Sequence, residues 1–312
     1  MNKTIWELKM LLRNMPFEVP KEKQIRLIIN TEAKCEADDQ YAIVHAVLSP
    51  RLQIKGIIGA HFGTRSATAM EDSYYEINHV LDLMGMLGKF DVLHGAPCKL
   101  PDPNTPIPSE GSNLIIREAL KEDPLPLFVT FQGPLTDLAS AYLQEPGIAE
   151  RLTAIWIGGG TYPEGNPEFN LSNDIDAARV VFNSPIRLWQ VPKNVYDMVR
   201  VELAELAVKV YPHGKVGKYL YEYLISHNMK NGHRLEWPKG EIWILGDSPA
   251  VSLLLNDQPF DYDWIEAPEI ASDMSYIPRP GNRKIRVYRS VDSRFILEDF
   301  YAKLTLFALT EK

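Results

Sequence analysis

Four carboxylates crowd into eight residues near the N-terminus: Glu32, Glu36, Asp38 and Asp39, within Asn30-Thr31-Glu32-Ala33-Lys34-Cys35-Glu36-Ala37-Asp38-Asp39. Acids held this close repel one another unless a cation neutralises them. A hard divalent ion with oxygen ligands is the simplest such cation. The competing reading is an acidic helix N-cap, where Asp is favoured and complements the helix dipole. A cap needs one acid rather than four. Two further clusters could carry chemistry. Gly165-Asn166-Pro167-Glu168-Phe169-Asn170, followed by Asn173-Asp174, puts amides and a carboxylate on one loop. Such groups suit a polyhydroxyl ligand, although an Asn/Asp turn with a helix cap accounts for the loop taken alone slightly better. Gly246-Asp247-Ser248-Pro249 closes an apolar run, and Asp247 there reads as an N-cap or as a site acid.

These residues need rigid elements behind them. The apolar run Ile25 to Ile29 predicts a strand that delivers the acids, and Tyr41, Ile43, Val44, Val47 and Leu48 predict a helix that leaves them, ending near Ser49-Pro50. Residues 52–60 predict a second strand, ending in the polar loop His61-Phe62-Gly63-Thr64-Arg65. A helix over 67–87 and a short strand at 91–95 follow. Residues 96–113 hold five prolines and predict a long ordered loop, the kind that serves as a lid or binding loop. Further strands are expected at 125–131, 153–157, 186–191 and 284–288, and helical segments at 203–228, 247–255 and 293–309. A short amphipathic helix at 3–15 and a linker ending at Pro20 precede them. Strands alternating with helices define an α/β class: a mainly parallel sheet with helices on both faces, read as one domain over 1–312. Functional loops then belong at the carboxyl ends of the strands, where every polar cluster falls.

Composition excludes several classes. The chain has a net charge of −8 and no block of Lys or Arg, so nucleic acid is not an expected partner. Two cysteines without a CxxC spacing argue against a zinc site of that type. No apolar run reaches membrane-spanning length and no signal peptide is apparent, so a cytoplasmic protein is expected. There is no dinucleotide GxGxxG, no phosphate-binding loop, no GxSxG elbow and no HExxH. His61 is the one histidine in a suspect loop, where packing is as good an account as chemistry.

Taken in order, the motifs resemble the nucleoside hydrolase family of the inosine–uridine-preferring type. That family opens with a strand followed by DxDxxxDD. Here Asn30-Thr31-Glu32 stands at DxD and Asp38-Asp39 at the paired Asp. Gly133-Pro134-Leu135-Thr136-Asp137 looks like its GPLTN turn. Ile157-Gly158-Gly159, Gly165-Asn166 and Pro167-Glu168-Phe169-Asn170 look like its MGG, GN and AEFN stretches. Asp176-Ala177-Ala178 matches the helix with paired Ala, and Gly246-Asp247 its late HD. The likeness runs from about residue 25 to 255.

The resemblance implies hydrolysis of the N-glycosidic bond of ribonucleosides, giving ribose and free base, in nucleoside catabolism and purine or pyrimidine salvage. It implies a bound Ca2+ held by Glu32, Asp39, Asp247 and the carbonyl of Gln132, with Glu32 as the base that activates water. It implies ribose contacts from Asp38, Thr64, Asn166, Glu168 and Asn170, and a homo-oligomer, dimer or tetramer. The alternatives are a nucleoside- or sugar-binding protein that has lost catalysis, or a hydrolase of another N-riboside. The sequence departs from the pattern in places. Glu32 replaces an Asp, the loop to Asp38-Asp39 is two residues longer, Glu36 is extra, Asp137 replaces an Asn, and Gly246 stands where the family often has His.

Overall fold

A computed structural model describes residues 15–233 and 240–309. The expected N-terminal helix over 3–15 lies outside the described residues but for Met15. The strands are β1 (Ile25–Thr31), β2 (Leu52–Gly59), β3 (Val92–His94), β4 (Leu127–Gln132), β5 (Leu152–Ile157), β6 (Arg187–Val191), β7 (Arg200–Glu202), β8 (Ile242–Ile244), β9 (Tyr262–Glu266), β10 (Glu269–Ile270), β11 (Tyr276–Ile277) and β12 (Lys284–Tyr288). Eight of them form one sheet in the order β3-β2-β1-β4-β5-β6-β12-β9. Its pairs are parallel except β12 with β9, which is antiparallel. β7 with β8 and β10 with β11 form small antiparallel pairs outside it.

β1 is buried along its whole length. Its side chains alternate between the two faces, as a strand requires. Leu27 and Ile29 enter one core, with the helices Asp39–Val47, Ser248–Leu255 and Ser293–Ala308. Ile28 enters the other, with the helices Glu110–Leu120, Thr136–Gln144 and Ile175–Asn183. A strand covered on both faces reads as a continuous apolar run, which is the pattern of Ile25 to Ile29. Arg26 interrupts that run and is buried. Its guanidinium donates to the carbonyls of Glu118 (2.7 Å) and Leu125 (3.0 Å) and pairs with the Glu118 carboxylate at 3.5 Å.

Several expectations need correction. The proline-rich loop ends sooner than residue 113, because Ser109 starts a helix at Glu110 through a reciprocal capping box with Ser112. Nor does the loop overhang the cavity described below. Buried acids clamp it: Asp137 accepts from the N–H of Ala96 (2.9 Å) and the hydroxyl of Ser109 (2.6 Å), and Asp174 accepts from the N–H of Leu100 (2.9 Å). The helical segment at 203–228 is two helices, Leu203–Lys209 and Gly214–Lys230, broken where Gly214 takes a φ of +70°. β9, β10 and β11 were not anticipated, since their exposed, mixed sequences give no clear period.

Asp137 also accepts from the side-chain amide of Asn30 at 2.8 Å, so one buried carboxylate joins β1, the proline-rich loop and the helix Thr136–Gln144. Replacing it, Asp137→Ala, strands three donors, those of Asn30 and Ala96 buried and that of Ser109 half-buried. Urea unfolding is expected to give a loss of at least about 3 kcal/mol, at roughly 1–3 kcal/mol for each donor left unpaired.

Candidate functional site

β1, β2, β4, β5 and β6 all end on the same rim of the sheet, and the loops that leave them meet there. A cavity of about 330 Å³ opens on this rim. Glu32, Asp38, Asp39 and Asp247 line it, with Glu36, Arg65, Phe169, Glu168, Asn170, Lys193 and Tyr196.

Asp38 and Asp247 both stand at helix N-cap positions, and neither side chain makes a capping bond. Asp38 Oδ2 instead accepts from the N–H of Asp247 at 3.2 Å. Oxygens of Asp38, Asp39 and Asp247 all lie within 4.8 Å of one another. The capping account therefore fails for these acids. It holds for the third cluster: Glu168 caps the short helix Phe169–Asn173, and Asp174 caps Ile175–Asn183 through the N–H of Ala177.

The three aspartates are held under electrostatic stress. Burial pushes the Asp39 carboxyl up to about 7, although the Thr31 hydroxyl donates to it and works the other way. Burial, then the charge of Asp39, raises Asp38 well above the usual carboxylate range. Burial, then Asp38 and Asp39, does the same to Asp247. Among the described residues, none of the three is ion-paired to a Lys or Arg. Three hard oxygen donors on two helix starts, desolvated and without a protein counter-charge, fit a divalent cation such as Ca2+.

Glu32 lies in the same cavity and is also pushed up, by burial first and then by Asp39. It does not belong to the close aspartate set. Its Oε2 accepts from the amide of Asn173 at 3.2 Å, and its backbone N–H donates to the Gln132 carbonyl at 3.2 Å. The expected convergence of Glu32, Asp39, Asp247 and Gln132 is thus drawn differently, with Asp38 in the cluster and Glu32 beside it.

The expected sugar contacts divide. Glu168 Oε2 accepts from the N–H groups of Gly159 (2.8 Å) and Leu171 (2.9 Å), and Oε1 from Asn170 N–H (3.1 Å) and Tyr196 hydroxyl (2.8 Å). It fastens the glycine turn after β5 to the rim. Gly159 has a φ of +84°, and a Cβ there would collide with the Gln190 amide and the Tyr276 hydroxyl. Asn170 donates its amide to the Ile157 carbonyl at 2.8 Å and lines the cavity. Asn166 is committed to its own loop, accepting from Thr161 N–H at 2.8 Å and donating to the Pro167 carbonyl at 3.1 Å. Thr64 is exposed and is not among the lining residues, whereas its neighbour Arg65 is. His61 is a packing residue. Its Nδ1 accepts from Gly63 N–H (3.2 Å), so Nε2 donates to Thr136 Oγ1 (2.9 Å), and burial lowers its pKa to about 4.

Sequence reasoning passed over Arg65, Lys193 and Tyr196. Their one signal was position: Arg65 follows β2, and Lys193 and Tyr196 follow β6. Tyr196 also bears on the missing side chain at 246. A Cβ on Gly246 would sit 3.1 Å from Tyr196 Cδ2 and 3.4 Å from Asp38 Oδ2, so the tyrosine ring takes up that space.

A mainly parallel sheet with an acid-floored cavity on its carboxyl rim defines an α/β protein with a ligand site of the strand-end type. The chain belongs to the inosine-uridine preferring nucleoside hydrolase family, whose model matches residues 27–294. It is 36% identical over 96 residues to an inosine-uridine preferring nucleoside hydrolase of Crithidia fasciculata, covering 30% of each chain. It is 28% identical over 177 residues to the pyrimidine-specific ribonucleoside hydrolase RihA of Citrobacter koseri, covering 48% of this chain and 54% of that protein. The chain therefore spans about a third to about half the length of these curated relatives. In three dimensions it is similar to a purine-preferring ribonucleoside hydrolase from Gardnerella vaginalis, with a TM-score of 0.74 at 20% identity, over 91% of this chain and 99% of that one.

The raised acids give a pH dependence whose sign is fixed. An acid whose pKa is higher folded than unfolded stabilises the fold below its unfolded value, about 3.9 for Asp, and that stability drains away as pH rises through its folded value. In EDTA, urea midpoints are expected to fall as pH rises from the unfolded range through about 7, the folded value of Asp39. Asp39→Asn should flatten that fall.

Proposed function

We propose that this chain is a Ca2+-dependent ribonucleoside hydrolase that splits the N-glycosidic bond to give ribose and free base. The observation that carries this reading is the set of three desolvated, unpaired aspartates on the floor of a cavity in a chain of this family. Asp38, Asp39 and Asp247 would hold the ion. Bound there, Ca2+ would supply the Lewis acid that brings the pKa of a water towards neutrality.

The remaining work falls to side chains already in place. Glu32 is the base: it lines the cavity beside the aspartates, and the Asn173 amide fixes one of its oxygens. A carboxylate with a raised pKa is a better proton acceptor near neutral pH than a solvated one. Asn170 keeps its side-chain carbonyl for a sugar hydroxyl, since among the described residues only its amide group is bonded to the protein. Glu168 orders the loop that carries Asn170 by accepting from three backbone N–H groups of the rim. Cleavage of an N-riboside develops positive charge on the sugar ring, which an acid-rich floor favours. The same reading includes a homodimer or homotetramer, to be measured by light scattering on the purified protein.

The deciding experiment is an assay for free ribose with inosine, guanosine, adenosine, uridine and cytidine, with Ca2+ and with chelator. Ribose released from at least one, and lost on chelation, is expected. Binding of nucleosides without release of ribose from any would sink the enzyme reading in favour of a binding protein. Asp39→Asn should lower kcat by about 100-fold or more and abolish the rise in Tm on adding Ca2+, a rise worth about 2.7 kcal/mol at 100 times Kd. Glu32→Gln should lower kcat while leaving KM close to the parent value. An equal loss in binding would make Glu32 structural.

A further inference from the structure

The ribonucleoside reading leaves the departing base without an assigned partner, and the cavity offers few candidates. The floor is made of acceptors: Glu32, Asp38, Asp39 and Asp247. Position 246, beside them, has no side chain to offer. Among the described residues, the cations that line the cavity are Arg65 and Lys193. Lys193 donates to both oxygens of Asp197, at 3.1 and 2.9 Å, so its charge is matched. Arg65 is held more loosely. One of its terminal nitrogens reaches Cys35 Sγ at 3.3 Å and Glu36 Oε1 at 3.4 Å. Among the described residues, its Nε and second terminal nitrogen donate to no protein acceptor. The guanidinium lies over the Phe169 ring, 3.7 Å from the centroid, which sets its plane.

Arg65 is also placed where a base must pass. The aspartates on the floor are buried or half-buried, whereas Arg65 is exposed at the mouth. It lines a second, more open cavity as well, together with His227, Asn231 and His233. A ribose seated on the acids would leave its base to the exposed side of the cavity, which Arg65 lines.

We propose, resting on that ribonucleoside reading, that Arg65 is the ligand of the departing base and that its fork selects 6-oxopurines. A guanidinium matches the O6 and N7 acceptors of such a purine with two parallel bonds. Adenine puts an amino group in place of O6, and uracil offers a single acceptor on the corresponding edge. In the reaction the N9–C1′ bond breaks with its electron pair going to the purine. Water adds hydroxyl to C1′, and its proton ends on a purine nitrogen. Donors at O6 and N7 stabilise the charge while it develops.

The test compares parent, Arg65→Lys and Arg65→Met in the Ca2+-loaded full chain. The substrates are inosine, guanosine, adenosine, uridine and p-nitrophenyl riboside, whose leaving group needs no such help. The parent should prefer inosine and guanosine over adenosine and uridine by about tenfold or more. Arg65→Met should lose about 100-fold in kcat on inosine while its p-nitrophenyl riboside rate is little changed. Arg65→Lys, which keeps the charge without the fork, should fall between, and it serves alone if the Met variant melts early. An equal loss on both leaving groups, no loss on inosine, or a parent that prefers uridine or adenosine overturns the assignment while the hydrolase reading stands. A parent that cleaves none of the ribosides removes the hydrolase reading and this one with it.

Discussion

Repulsion among Asp38, Asp39 and Asp247 is the constraint to which the rim of this protein answers. At an effective dielectric near 20, two ionised groups less than 5 Å apart cost about 3 kcal/mol or more. Three such groups cannot all ionise in isolation, and this repulsion adds to burial, which is the first cause of their raised carboxyls. Among the described residues, no lysine or arginine is paired with them to relieve this. The fold holds the acids there from two helix starts whose helices pack in the same core behind β1. The strain is tolerable because the scaffold is over-determined elsewhere: β1 is covered on both faces and hydrogen-bonded on both edges.

A second group of acids on the same rim does the opposite. Asp137, Asp174 and Glu168 are buried as well, yet each is surrounded by donors: backbone N–H groups, hydroxyls and an amide. These acids fix loops; Asp38 and Asp39 have fewer donors, the N–H of Asp247 and the hydroxyl of Thr31, and are poised for something that is not protein. Burial alone does not separate the two kinds. The number of donors aimed at each carboxylate does.

Much of this was legible in the sequence. Parallel strands buried on both faces appear as plain apolar runs, and the polar residues that follow each run sit at the site because strand ends share a rim. Asp38, Asp39 and Asp247 could be named from motif order. What could not be read was which residues from different loops touch. Arg65 and Tyr196 reach the cavity because β2 and β6 flank the strands that carry the acids, and strand order is a tertiary fact with no local signature. The proline-rich stretch was misleading for a related reason. Its composition implied an ordered lid or binding loop, whereas two distant carboxylates, Asp137 and Asp174, pin it down away from the cavity.

The bond between Asp38 and the backbone of Asp247 joins residues 209 positions apart. During synthesis the first two acids of the trio emerge early, and the third only after most of the chain has been made. For that interval the acid site is incomplete. Any cation held by all three therefore cannot guide the early stages of folding; it can only secure the helix Ser248–Leu255 against the rim once that helix has been made.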